Sequence, residues 1–260
     1  MSAIVDALRL KTERAEKHRL DFKAAIGEGV EPPRRFTANF FHTHKDWYPE
    51  FTSDLVEPGP EVGIIVGDVV HQLRSCLDHL MCQLVFDRTK NPADREQTQF
   101  PIFESEPKFH DHKLYGFLRH RLGDSSPEFT AINESQPYER YAGTPMNDPL
   151  YFIAKLDNID KHRAILVLAP TISYEGFVFL KDGPVHFSKR KQPIKPGANL
   201  LDIGMTLPDP PPRVQMEGVA LHVVFADTDG VCDNLSVYPI MRNMIDAVNE
   251  IITKFERFFL

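Results

Sequence analysis

Residues 61–86, EVGIIVGDVVHQLRSCLDHLMCQLVF, are the most strongly patterned segment of the chain and constrain its fold more than any other. Wound at about 100° per residue, Val66, Val69, Val70, Leu73, Leu77, Leu80, Met81 and Leu84 fall on one broad arc. A helix with such an arc has to bury it against other elements. The opposite arc collects Asp68, His71, Arg74, Ser75, Asp78, His79 and Cys82. No Lys or Glu follows Glu61 within the segment. The polar side chains are instead short, or suited to proton transfer and phosphate contacts. A solvated stripe of chance composition is the plain alternative.

The rest of the chain supplies the partners for that apolar arc. Residues 3–26 read as a long helix with Ile4, Leu8, Ala15, Phe22 and Ile26 at helical spacing, stopped by Gly27, Gly29 and Pro32–Pro33. Residues 34–53 are rich in aromatics and Thr and predict one or two strands. Residues 87–149 are polar and Pro-punctuated, with short helical pieces. Asp148–Pro149 is a helix start, with Asp as N-cap and Pro in the first turn, and LYFIAKLDNIDKHR follows it. From there to about residue 229 the pattern is strand, turn, strand. A closing helix places Ile240, Met244, Val248, Ile251 and Phe255 on one face.

The expected fold is therefore α+β in a single domain over residues 1–260. Its long N-terminal, central and C-terminal helices pack together, with an antiparallel sheet from residues 34–53 and about 163–229. No run of 18 apolar residues and no signal-peptide core is present, so no membrane partner is expected. Three cysteines cannot form a disulfide framework, which points to a reducing cytoplasm. A net charge of −7 argues against a passive nucleic-acid coat and leaves room for an enzyme with a local basic groove.

Arg74-Ser-Cys-Leu-Asp-His79 is an Arg-x4-His arrangement on the polar arc. A bare Arg…His spacing is not specific, since Arg35 and His42 provide another. Set on an amphipathic helix, however, Arg74…His79 resembles the signature of the HEPN superfamily. Its members are helical, often dimeric and frequently metal-independent endoribonucleases, and the resemblance covers about 25 residues. Many of them carry Asn, Asp or His directly after the Arg, where this chain has Ser75. The series GDVVHQLRSCLDHL, TQFPIF, SQPYERY and PLYFIAKLDNIDKHR, over roughly residues 60–165, also resembles a widespread bacterial family of uncharacterised proteins.

The first resemblance implies a ribonuclease, a defence or toxin component with RNA as substrate, a homodimer as its assembly and an unknown antitoxin or other protein partner. Metal-free RNA cleavage needs a base, an acid and a cation for the phosphorane charge. His79 suits the proton transfers and Arg74 offers a planar fork for phosphate oxygens. Asp78 could orient a histidine, or simply pair with Arg74 one turn earlier. The alternative from another class is a non-catalytic binding or interaction protein. Its polar helix face, with His71 and Ser75, would form a structural network or ligand contact.

Asp157-Asn-Ile-Asp-Lys-His-Arg163 is a second polar cluster at a helix end. Asp157 and Lys161 are i,i+4 partners, and Lys161, His162 and Arg163 sit where cations complement a helix C-terminus. Alternatively, Asp160 or His162 faces the Arg74/His79 stripe and completes a site between the two helices. His42-Thr-His44 and His110-Asp-His112 are His-x-His pairs that would share a face on a strand. No zinc, EF-hand, phosphate-loop or dinucleotide pattern accompanies them, so no metal or cofactor is expected. Cys82 is a candidate nucleophile or a semi-buried thiol. The basic stretches 108–121 and 186–195 read as solvated loops.

Overall fold

The computed structural model describes residues 2–26, 37–43, 46–52, 59–95, 98–162, 166–180, 183–193 and 213–259. Four long helices make the frame: α1 (Ala3–Ala25), α2 (Pro60–Thr89), α7 (Pro149–His162) and α8 (Val237–Phe255). The arc that the sequence assigns to α2 is buried throughout, from Val66 to Leu84. It packs against α1, α7 and α8, which contribute Leu8, Phe22, Leu156, Met244 and Phe255 to the same core.

α1 and α8 run antiparallel. Arg9 bonds Glu256 at 3.0 Å, Thr12 donates to Asn249 at 2.8 Å, and the Arg19 guanidinium lies 4.3 Å over the Tyr238 ring. Residues 87–149 wrap this frame with α3 (Glu106–His110), α4 (Lys113–Leu122), α5 (Pro127–Glu134) and α6 (Pro137–Arg140). Proline in the first turn of α2, α3, α5, α6 and α7 explains their abrupt starts, since its missing N–H is one that a helix leaves unpaired anyway. Asp148 caps α7 as expected, its Oδ1 accepting from the Leu150 N–H at 2.6 Å.

The α+β class holds, but the strands form two separate sheets among the described residues, where the sequence predicts one. Among the described residues β1 (Thr37–Thr43) and β2 (Asp46–Thr52) pair with each other alone, as an antiparallel ribbon. β3 (Val167–Leu180), β4 (Gly183–Pro193) and β5 (Arg213–Ala226) form an antiparallel sheet in the order β4–β3–β5. Two short aromatic strands satisfy each other's hydrogen bonds, and nothing in their local pattern dictates a third neighbour. The larger sheet meets the helical core at one end, where Val223 and Phe225 are buried, and the Phe225 N–H donates to the Leu235 carbonyl just before α8. Residues 194–212, within the region read as strand and turn, lie outside the described residues.

Candidate functional site

The polar arc of α2 divides into two flanks. Gly67, His71, Arg74 and Asp78 recur at three- and four-residue steps and so share one side, whereas Ser75 and His79, one turn apart, share another. Arg74 and His79, five positions apart, are turned about 140° from each other.

On the first flank α7 lies close and antiparallel. A Cβ at position 67 would sit 2.6 Å from Asp160 Oδ1, so only glycine permits this approach. One turn on, His71 Nδ1 stands 3.7 Å from Asp157 Oδ1, while the other Asp157 oxygen accepts from Lys161 Nζ at 2.8 Å. Arg74 Nη2 reaches Asp78 Oδ1 at 2.9 Å, and its side chain is only 12% exposed. Both i,i+4 pairs read from the sequence are therefore formed.

The segment 98–103, a strap across the end of this interface, comes from the TQFPIF stretch. The Phe100 N–H donates to Asp78 Oδ1 at 3.0 Å. Gln136, fully buried, donates through Nε2 to the Pro101 carbonyl at 3.0 Å and to Ile132 at 3.1 Å. Its Oε1 accepts from the Phe103 N–H at 3.1 Å. Arg140 Nε pairs at 2.9 Å with buried Asp148, the cap of α7. Asp78 and Gln136, 58 positions apart, thus both hold the strap.

Between these parts opens a cleft of about 340 Å³. Arg74 and Asp78 line it from α2, and Asp157, Asn158 and Lys161 from α7. Gln99 and the strap close one side, and His112 with Leu114 close another. Burial pushes the Asp78 carboxyl above its ordinary range, against the pull of Arg74 and of the Phe100 N–H. Burial, followed by the charges of Asp157 and Asp68, raises Asp160 as well. Two cations face two carboxylates, so the lining is close to neutral, with charge of both signs within one small volume.

The second flank is different. Lys11, from α1, donates through Nζ to Ser75 Oγ at 3.0 Å. His79 is exposed, and its pKa is held below the usual value by partial burial and by the Lys11 charge, with Asp78 acting in the opposite sense. His79 does not line the cleft. The structure therefore gathers Arg74, Asp78, Asp157 and Lys161 at one cleft, while His71 meets it only through Asp157 and Asp160 packs at Gly67 outside its lining. Ser75 and His79 stand apart. His162 ends α7, and its side chain is not among those described.

The remaining candidates serve local structure. His110 ends α3 beside Glu106 at 3.7 Å, and His112 caps α4 by accepting from the Leu114 N–H at 3.2 Å, so this pair is not on a strand. The His42 and His44 side chains and those of 186–195 lie outside the described residues. No group of three His, Cys, Asp or Glu among the described residues is placed to hold a metal. In the 108–121 stretch Lys108 pairs with Glu104, Arg119 with Asp124 and Arg121 with buried Asp94. Cys82 lies 3.8 Å from the Arg95 carbonyl, and burial raises its thiol pKa, away from nucleophile chemistry.

Sequence reasoning missed Gln99, Gln136 and Lys11, and named Asn158 only as part of the 157–163 cluster. The only signal for Gln136 is its place inside SQPYERY, a stretch whose local pattern points to no chemistry. No helix among the described residues is long and apolar enough to cross a membrane. Comparison with known proteins returned nothing: no family model, no curated protein and no solved structure matches the chain.

Proposed function

We propose that the chain is a binding protein whose α2–α7 cleft takes a small zwitterionic molecule of amino-acid size. The observation that carries this reading is the cleft itself: about 340 Å³, with Arg74–Asp78 on one helix and Lys161–Asp157 on the other. That volume is at the small end of ligand pockets. A ligand carboxylate would exchange onto Arg74 or Lys161, and a ligand ammonium onto the carboxylate thereby released. The strap supplies peptide edges for orientation, and Ile102, Leu114 and Ala154 contact an apolar side chain.

The test is thermal stabilisation by a panel of amino acids and dipeptides, repeated on Arg74→Gln and Lys161→Gln. A saturable rise in Tm that is lost in both variants supports the reading. A flat panel, or equal responses in all three proteins, defeats it.

One observation favours the ribonuclease reading as a second. His79 is exposed, and its pKa is held below the usual value, the direction that favours the neutral imidazole a general base requires. With Arg74 turned away on the same chain, this reading needs the partner's Arg74 across a homodimer. RNA cleavage in EDTA by wild type, Arg74→Ala and His79→Ala decides it, and equal residual activity in all three leaves contamination as the explanation. The bacterial, cytoplasmic setting belongs to both readings. It rests on the sequence resemblance and on three free cysteines, of which Cys76 and Cys232 are buried.

A further inference from the structure

The second flank of α2 carries chemistry that the cleft does not use. Among the described residues every cation of the cleft has a carboxylate: Arg74 has Asp78 and Lys161 has Asp157. Lys11 has none among the described residues, and its ammonium donates instead to the Ser75 hydroxyl at 3.0 Å. An ammonium has three protons and a hydroxyl keeps its own proton when it accepts, so both groups retain donors directed away from their mutual bond. His79 lies one turn beyond Ser75 on the same exposed side and supplies a ring N–H. The nearest carboxylate on this helix, Asp78, is held on the other flank by Arg74 and the Phe100 N–H.

Three donors of different kinds, drawn from two helices with a net positive charge, match the oxygens of a tetrahedral oxyanion. From this geometry we propose that Lys11, Ser75 and His79 form a phosphate-group site on the α1–α2 face, separate from the α2–α7 cleft. Lys11 supplies charge, Ser75 and His79 supply direction, and a bound phosphate dianion favours the imidazolium form of His79. The site is open to solvent, so it takes a terminal phosphate, free or carried on a nucleotide. It stands whether or not the cleft binds a zwitterion.

The experiment follows the His79 ring protons by NMR, assigned by their absence in His79→Gln, across pH at constant ionic strength. Inorganic phosphate is expected to raise the His79 titration midpoint saturably, whereas sodium chloride at equal ionic strength does not. Lys11→Met and Ser75→Ala are expected to weaken the phosphate response, with Lys11→Met lowering apparent affinity on the order of tenfold. Lys11→Arg is expected to restore it, and unchanged ring signals of His110 and His112 in each variant report an intact fold. AMP and adenosine distinguish the source. A tighter response to AMP than to phosphate assigns the site to nucleotides, an equal response assigns it to the phosphate alone, and both support the proposal. No saturable shift, a response of undiminished size in Lys11→Met, or a response to adenosine overturns it.

Discussion

Arg74 and Asp78 hold each other at 2.9 Å across one turn of α2, and the same Asp78 oxygen accepts the Phe100 N–H at 3.0 Å. One carboxylate thus fixes both a cation of the cleft and the strap that closes it. Asp78→Ala removes both and leaves a largely buried guanidinium without its counter-charge, at an expected cost of about 3 kcal/mol. Asp78→Asn keeps an acceptor for Phe100 and should cost clearly less. Urea unfolding of the two variants checks the order, and equal losses would show that the strap contact contributes nothing.

Gln136 has no exposed surface and bonds to Pro101, Phe103 and Ile132. Replacing it with alanine leaves buried backbone groups unpaired, each worth about 1–3 kcal/mol. Gln136→Ala should therefore lower the urea midpoint by an amount equivalent to about 3 kcal/mol. Gln136→Glu should do at least as much harm, because it removes two donors and buries a carboxyl. A tolerated glutamate would mean that the pocket around residue 136 admits water.

Gly67→Ala sets two effects against each other. Alanine gains about 1 kcal/mol in helix propensity, but its Cβ meets Asp160 Oδ1 at 2.6 Å. The Asp160 carboxylate has to turn away from α2 to admit the methyl group, and overpacking of this kind costs about 1–3 kcal/mol. The variant should be net destabilised, and Gly67→Ala combined with Asp160→Ala should recover most of the loss. Additive losses in the double variant would contradict the contact.

Asp160 carries a pH signature. Its native pKa is raised above the ordinary 3.8 by burial and then by Asp157 and Asp68, with His71 and Lys161 opposing. The native state consequently binds this proton more tightly than the unfolded chain does. The stability it contributes is complete below pH 3.8 and is lost as pH rises through the native pKa. Asp160→Asn should accordingly unfold at a higher temperature than wild type at pH 7. The gap should close on acidification to about pH 3, where both side chains are neutral. A gap independent of pH would assign the effect to packing.

Local pattern made much of the scaffold legible. The periodicity of α2 marks its buried arc residue by residue, Asp148–Pro149 marks the start of α7, and i,i+4 spacing marks the Arg74–Asp78 and Asp157–Lys161 pairs. Contacts between elements were not legible. Lys11 and Ser75 are 64 positions apart, and Phe103 and Gln136 are 33 apart, and neither pairing leaves a trace in local periodicity. The polar arc read as one stripe because a helical wheel shows direction but not neighbours. Only the positions of α1 and α7 divide it into a cleft side and an open side. Separation of the strands into two sheets is equally a property of tertiary neighbours.

The close approach at Gly67 also works as a vernier. Sliding α7 by one turn, about 5.4 Å, toward the C-terminus of α2 would carry Asp160 from a position with no side chain to one occupied by His71, whereas the opposite slide would meet Gly63. The notch therefore blocks the slide toward His71, and with it one way in which the height of Lys161 relative to Arg74 could change. The spacing between the two cations of the cleft is guarded on one side by a residue that brings no functional group to it.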